Sequence, residues 1–396
     1  MKKVAFLINF EYKTWLGGFY LLKNLIYCIK KFSKGEIEPV LIVRNNLSKE
    51  EKKELKNLKL IKTNFFWNQS RLSKIWCKLK VIFFGKSNIY ENFFNKNKIN
   101  ILSHINVFNN NIILGKKSSV KTLSLVADFQ HLYFPQNFPL KQRIFRNLNT
   151  HLSSKFSSKI LLISNDAKKD LKKISLTGYN NSVINRFVFP PPVKKKIIKL
   201  KNLKKKYNFK TNFFFLPNQY WPHKNHIVVL KALNYLRKKK KNEKMLILST
   251  GNNDDQKGFK NFKKLNEFIK YNNLKSNYKY LGIVPYQELM SLMYHSIAVI
   301  NPSKFEGRSS TVEQAKSMGK KIILSKINIH REQNPKRGIF FYPDDKIKLA
   351  EILFGENKKF NKYRERKFIN NSYLETNKNL FKYYNEYKKI IDDLSK

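Results

Sequence analysis

Short apolar runs alternate along this chain with longer stretches in which apolar residues recur every three or four positions. In the first half the runs are Val4–Asn9, Val40–Val43, Ile101–His104, Thr122–Val126 and Ile160–Ile163. They read as strands, and the periodic stretches between them as helices that cover a parallel sheet. After Arg186 the chain reads Phe187-Val188-Phe189-Pro190-Pro191-Pro192. Three successive prolines fix φ and remove backbone donors, so this segment is a stiff linker. The alternation then restarts with Asn212–Leu216, Met245–Thr250, Tyr278–Leu281, Ile297–Asn301, Lys321–Ser325 and Ile339–Tyr342. The pattern predicts an α/β protein of two domains, 1–189 and 193–369. A Lys/Tyr-rich final helix over 370–396 is expected to pack back on the first domain. No fixed-period repeat is present.

One periodic stretch stands apart. Within Trp67–Phe84, Leu72, Ile75, Trp76, Leu79, Ile82 and Phe83 fall at helical spacing, and Arg71, Lys74, Lys78 and Lys80 fall mostly on the other side. Such a stripe either packs on the N-terminal sheet or lies on an anionic membrane surface. No run approaches the ~18 apolar residues of a membrane span. The apolar start of Met1–Phe10 stops at Glu11 with no small-residue cleavage site behind it, and reads as a buried first strand. The expected location is the cytoplasm, with peripheral attachment to the inner face of the cell membrane as the further option. Cys28 and Cys77 have no metal-ligand or redox spacing and are expected to be free thiols.

Charge changes the picture less than its size suggests. The 80 Lys+Arg against 27 Asp+Glu give a net charge of +53. Such an excess attracts phosphate in any form. Only 11 of the 80 are Arg, the residue that reads base edges with a two-pronged fork, and the lysines are spread over the whole chain. Nucleic acid is therefore not the expected partner. Lysine runs at 194–196, 204–206 and 238–241 lie near expected helix ends and read as solvated surface.

The residues that carry chemistry lie in two strand–loop–helix passages. The first is Asn301-Pro-Ser-Lys-Phe-Glu-Gly-Arg-Ser-Ser-Thr-Val-Glu-Gln-Ala-Lys-Ser-Met-Gly319. Ser310 suits the N-cap, Glu313 completes a capping box, and Gly319 suits the stop. The N–H groups from Arg308 through Ser309 and Ser310 to Thr311 are expected to form an anion site for a diphosphate. The second passage is Leu216-Pro-Asn-Gln-Tyr-Trp-Pro-His-Lys-Asn-His226, leading into a helical pattern over Ile227–Leu236. Asn225 is the expected N-cap, and Lys224 adds a full positive charge beside the helix start. Gly17-Gly18 opens the helix after the first strand, where a backbone can approach a ligand.

Both passages resemble the group 1 (family 4) glycosyltransferases of the GT-B fold, particularly bacterial cell-surface polysaccharide enzymes similar to mannosyltransferases. Further matching segments are Gly251-Asn252, Tyr280-Leu-Gly-Ile-Val-Pro285, Lys321-Ile-Ile-Leu-Ser325 and His330-Arg-Glu-Gln333. The first half matches more loosely, through Trp15-Leu-Gly-Gly18, Asp128-Phe-Gln-His131 and Ile163-Ser-Asn165. The resemblance implies two Rossmann-like domains facing across a cleft, with the acceptor on the first and the donor on the second. It implies transfer of a hexose, GDP-mannose being the donor suggested, to a growing cell-surface glycan or a lipid-linked acceptor, with retention of configuration. It places Glu306 at the transferred sugar and Lys224 on the diphosphate. By the same resemblance Asp128 matches a family position that faces the cleft and is an expected catalytic residue. Gly17, Gly18, Asn218, Gln219, Gly251 and Val284 join Arg308, Ser309, Ser310 and Gln314 in holding the donor.

The chain departs from the family at two points. Gln314 stands where the family's second Glu binds the ribose, so a charge-assisted bond is lost. Asn218 or Gln219 stands where the family pairs an Arg with the lysine. In addition Ala127 occupies the family's His position, with His131 three residues beyond Asp128. These departures raise an alternative, a catalytically inactive sugar-nucleotide or glycan-binding protein. The chain has no Asp-x-Asp triplet and no His-Glu-x-x-His, so a divalent metal is not expected, and no cofactor is expected either. The nucleotide sugar is then a substrate, whose leaving diphosphate is stabilised by fixed donors.

Overall fold

The computed structural model describes residues 1–8, 16–105, 114–240, 245–253 and 260–396. Asn9, Phe10, Glu11, Trp15 and Lys241, singled out above, lie outside these. The chain divides into one unit of Met1–Val188 with Asn379–Lys396, and a second of Phe189–Lys378.

The first unit holds seven strands: β1 Lys2–Leu7, β2 Ile37–Val43, β3 Leu60–Lys62, β4 Ile101–Ile105, β5 Lys121–Leu125, β6 Lys159–Leu162 and β7 Ser182–Ile184. They are all parallel, in the order β3-β2-β1-β4-β5-β6-β7. Central strands are apolar throughout because helices cover both faces. In β1, Val4 to Leu7 are buried on both sides of the pleat. On one face Ala5, Leu7, Ile42 and Leu102 pack with Cys77, Val81, Tyr90, Phe94 and Phe156 from helices Arg71–Phe84, Asn88–Lys96 and Leu140–Phe156. Cys28 and Cys77 are free and buried.

The second unit holds β8 Phe214–Leu216, β9 Ile247–Ser249, β10 Tyr278–Tyr280, β11 Val299–Asn301, β12 Ile322–Ser325 and β13 Gly338–Phe341. They form a parallel sheet in the order β10-β9-β8-β11-β12-β13. The period of two sorts its side chains between two cores. Phe214, Leu216, Ile247, Ile300 and Ile323 face helices His226–Lys238 and Lys346–Lys359. Phe215, Leu248, Val299, Ile322 and Leu324 face helices Tyr286–His295 and Ser310–Ser317. Each fully buried Leu, Ile or Phe contributes about 1.5–3 kcal/mol.

The last helix, Lys362–Leu394, has 33 residues. Its earlier part is anchored in the second unit: Arg337 makes two hydrogen bonds to Glu365, at 3.0 and 2.7 Å, and Thr376 donates to the Ser317 carbonyl at 3.0 Å. Gly319 is required here twice over. Its φ of +64° ends helix Ser310–Ser317, and a Cβ would lie 2.6 Å from Ser372 Cβ. The later part belongs to the first unit, where the Tyr387 hydroxyl lies 2.9 Å from Ser103 Oγ.

The eleven strands expected from the sequence are all present, most of them trimmed at an end. Two three-residue edge strands, β3 and β7, are additional; neither has a buried residue to mark it.

Candidate active site at the second sheet

β8 lies between β9 and β11, so the chain leaves β8 in one direction and returns on its other side at β11. The carboxyl ends of these two strands are a topological switch point, where open α/β sheets bind ligands. The two passages of the sequence meet there. Asn225 Nδ2 donates to the Pro302 carbonyl at 3.1 Å, and the Lys304 N–H donates to the His223 carbonyl at 2.8 Å.

At the centre the Lys224 ammonium donates to both carboxylate oxygens of Glu306, each at 2.8 Å. The side chains are only 17% and 9% exposed. Ser303 Oγ lies 2.7 Å from Glu306 Oε1 and 2.8 Å from Asn301 Oδ1. Burial raises the Glu306 carboxyl, but the charge and hydrogen bonds of Lys224, with smaller help from His330 and His223, bring it below the ordinary value. His330 is wholly buried, and burial lowers it to about 4. Its Nδ1 sits 2.9 Å from the Ser325 carbonyl, while Nε2 has no hydrogen-bond partner among the described residues.

Around the helix start the geometry corrects the sequence reading. The N-cap of Ser310–Ser317 is Ser309, not Ser310, and its hydroxyl accepts from the Val312 N–H. Glu313 does not turn back to the cap. It accepts from Arg308 Nη2 at 2.7 Å and from Gln333 Nε2 at 2.9 Å. The Arg308 guanidinium is thereby buried in a pair whose side chains are 4% and 2% exposed. The Ser309 N–H is not open to an anion, since Gln333 Oε1 accepts it at 3.1 Å. Ser310 is partly exposed, and Gln314 is buried about 100° round the helix from Glu313.

Asn218 is buried and donates to Asn301 Oδ1 at 3.2 Å, while Gln219 is half-buried. Asn225 occupies the cap position with φ +56°, but its side chain bonds the Pro302 and Pro343 carbonyls instead of capping. Gly251 lets two loops close on each other, because a Cβ there would lie 2.4 Å from the Asn218 carbonyl oxygen. Val284 places its side chain in the core with Leu248 and Met290. Sequence reasoning did not select Gln333 or His330 as site residues. They lie more than twenty residues beyond Glu306, and only the fold joins them to it.

Gly17, Gly18 and Asp128 belong to the first unit. Gly17 and Gly18 lie in the first turn of helix Leu16–Phe32, Gly17 exposed and Gly18 buried. Asp128 follows β5 and accepts from Arg146 Nη2 at 2.8 Å and from the Gln130 N–H at 3.1 Å. His131 lies 2.7 Å from Asn147 Oδ1 and accepts from Arg146 Nε at 3.2 Å. Chiefly through burial, it is held below the ordinary histidine value.

Residues 198–372 match the family model for glycosyl transferases, group 1. No curated protein sequence matches the chain. Among solved structures, Anabaena HepE in complex with UDP and glucose is similar with a TM-score of 0.68 at 13% identity, covering 99% of this chain and 100% of that one. A glycosyltransferase from Rickettsia africae is similar at 0.60 and 16% identity, over 98% and 99% of the two chains. Sucrose-phosphate synthase from Thermosynechococcus elongatus is similar at 0.66 and 11% identity, over 100% and 99%. At such identities these likenesses establish the GT-B fold, while the group 1 match over the second unit identifies the protein as a glycosyltransferase.

Proposed function

We propose that the protein transfers a hexose from a nucleotide-diphosphate sugar to a growing cell-surface glycan or lipid-linked acceptor, working at an anionic membrane surface. The observation that carries the reading is the Lys224–Glu306 pair at the switch point of the second sheet. An ammonium has three donors, and two are spent on Glu306. The third is available to a diphosphate oxygen, so Lys224 can stabilise the leaving group while holding Glu306 ionised beside the transferred sugar. Asn218, Gln219, Gly251, Val284, Arg308, Ser309, Ser310 and Gln314 are proposed to shape the donor site. Of these, Gly251 and Val284 serve through their backbone. Asp128 is proposed as a catalytic residue, and Gly17 and Gly18 as donor-binding residues, on the sequence resemblance. Transfer is proposed to need no metal, with retention of configuration and the leaving phosphate as base.

GDP-mannose follows from the sequence resemblance, whereas similar structures hold UDP or UDP-glucose. Release of nucleotide diphosphate over a panel of UDP- and GDP-sugars, with and without a lipid-linked acceptor, tests the reading. Acceptor-dependent release that disappears in Glu306→Gln supports it; no release with any donor overturns it. One observation favours a second reading, a sugar-nucleotide-binding protein without turnover. Asn218 is neutral, buried and tied to Asn301, so it cannot replace the charge of an arginine. Donor binding with no release would establish that alternative.

A further inference from the structure

Two helices of the first unit carry apolar stripes that the unit leaves uncovered. In helix Arg71–Phe84 only Cys77 and Val81 are buried. Leu72, Ile75, Trp76, Leu79, Ile82 and Phe83 are exposed, Leu72 to 80% and Phe83 to 75%. Helix Leu140–Phe156 repeats the arrangement: it buries Ser153, Ser154 and Phe156 and exposes Leu140, Ile144 and Leu148, one turn apart each. The sequence suggested the first stripe; the second emerged only with burial known.

Both helices lie on one face of the sheet. The connections β3 to β4 and β5 to β6 cross the sheet in the same direction, and right-handed crossovers then put their helices on the same side. The shared core agrees: Cys77 and Val81 of one helix and Phe156 of the other pack in a single cluster, with Leu152 at its edge.

We propose that this face docks on the anionic headgroup layer of a lipid bilayer, with the two apolar stripes in the interface. At about 100° per residue, Arg71 and Lys78 fall on one edge of the first stripe and Lys80 on the other. Lys80 Nζ stands 5.5 Å from the Trp76 ring centre. Long basic side chains at the edges of an apolar stripe can reach headgroups while their stems stay with the acyl chains. Among the described residues no helix is long and apolar enough to cross a membrane, so this contact lies in the interface plane.

Charge selects a lipid surface over a second copy of the chain. From residue 55 to residue 165 there are 18 Lys and Arg and only two acidic residues, Glu91 and Asp128. Glu91 is buried and accepts from the Ser119 N–H, and Asp128 is paired with Arg146. A two-fold dimer through this face would set like charge against like. The two helices themselves carry four Lys and Arg each and no acidic residue, and an anionic bilayer meets them with opposite charge.

This face would give the lipid-linked acceptor reading its surface, but the test uses no donor and no turnover, so the two can fail separately. The full-length protein is sedimented with phosphatidylglycerol/phosphatidylcholine vesicles and with phosphatidylcholine alone, at low and high salt. Binding to the anionic vesicles should be at least ~10-fold tighter, and weaken with salt. Three variants are compared: Leu72→Ser/Trp76→Ser/Phe83→Ser, Ile144→Ser/Leu148→Ser, and Lys74→Glu/Lys78→Glu/Lys80→Glu. Each should lose at least ~10-fold in anionic-vesicle binding while its thermal midpoint stays within a few degrees of the parent. Because the apolar variants lie on two helices, one of them suffices should the other misfold. The proposal is overturned if wild type ignores anionic vesicles, or if both apolar variants sediment like wild type. It is equally overturned if wild type is a dimer that these variants dissociate with no effect of lipid.

Discussion

The side-chain amide of Gln333 pairs with both backbone groups of Ser309: Nε2 donates to the Ser309 carbonyl at 2.9 Å, and Oε1 accepts its N–H at 3.1 Å. Gln333 Nε2 also reaches Glu313 Oε1 at 2.9 Å. One buried amide thus fixes the residue that caps helix Ser310–Ser317 and ends the loop carrying Glu306. Gln333→Ala removes these bonds and leaves the buried Ser309 N–H without its acceptor, while the Ser309 carbonyl keeps the Glu313 N–H at 3.2 Å. A loss of about 1–3 kcal/mol in unfolding free energy is expected, read from denaturant midpoints. Gln333→Glu should be at least as damaging, since a carboxylate cannot donate and would face Glu313. A variant as stable as wild type would show that the clamp contributes nothing.

Glu306→Ala and Glu306→Gln separate charge from shape. Reading Glu306 only as a loop residue suggests that its removal leaves folding untouched. Its burial against Lys224 changes that expectation: alanine leaves a mostly buried ammonium without its counter-charge. Glu306→Ala should therefore lower the thermal midpoint as well as the rate, and Glu306→Gln should keep more stability. Both should lose at least ~100-fold in kcat/KM if Glu306 acts on the transition state. Activity above half of wild type in the glutamine variant would remove Glu306 from the chemistry.

Lys224→Ala should weaken nucleotide-diphosphate binding at least ~10-fold, the size expected for one charged hydrogen bond. Calorimetric titration checks it. Unchanged affinity would move the phosphate site elsewhere.

Much of this was legible in the sequence. Buried parallel strands announce themselves as apolar runs, and the two strand–loop–helix passages put Lys224 and Glu306 just after β8 and β11. What stayed hidden depended on distant partners. Ser309 and Ser310 are equally good cap residues locally; Asn301, which bonds the Ser309 hydroxyl, opens the same passage, but Gln333, which bonds its backbone, lies beyond it and is brought there only by the fold. The same applies to Arg308, which resembles a free phosphate ligand until Glu313 is seen against it. For the stripe at 72–83, period and amphipathicity are identical whether a helix faces a core or solvent, and only burial distinguishes them.

Acid should unfold the protein through its histidines. Burial lowers His104 and His226 to about 3, and His295 and His330 to about 4, against an ordinary value of 6.5. The unfolded chain then binds more protons than the folded one below pH ~6.5, so stability falls as pH drops from there toward 4. Glu306 acts in the same direction at lower pH: its depressed value stabilises the fold above the unfolded carboxyl range, and that contribution is lost as pH falls through it. Replacing His330 with Gln should flatten the stability curve between pH ~6.5 and 4. An unchanged slope would mean that His330 is not held neutral.

Gln314→Glu tests the ribose assignment, and burial makes the test sharper than a simple affinity comparison. Gln314 is 8% exposed, so a carboxylate there is costly unless something donates to it. If Gln314 faces the ribose, the hydroxyls of a bound nucleotide become those donors. The variant should then unfold at a lower temperature than wild type when empty. It should gain more from added nucleotide diphosphate, because binding relieves the unpaired charge. Glu313 provides the control for register. Its carboxylate is already held by Arg308 and Gln333, so Glu313→Ala should destabilise the fold while leaving the affinity of the remaining folded protein nearly unchanged. If Glu313→Ala weakens calorimetric nucleotide affinity more than Gln314→Ala does, the ribose lies against Glu313, and the assignment is off by one residue.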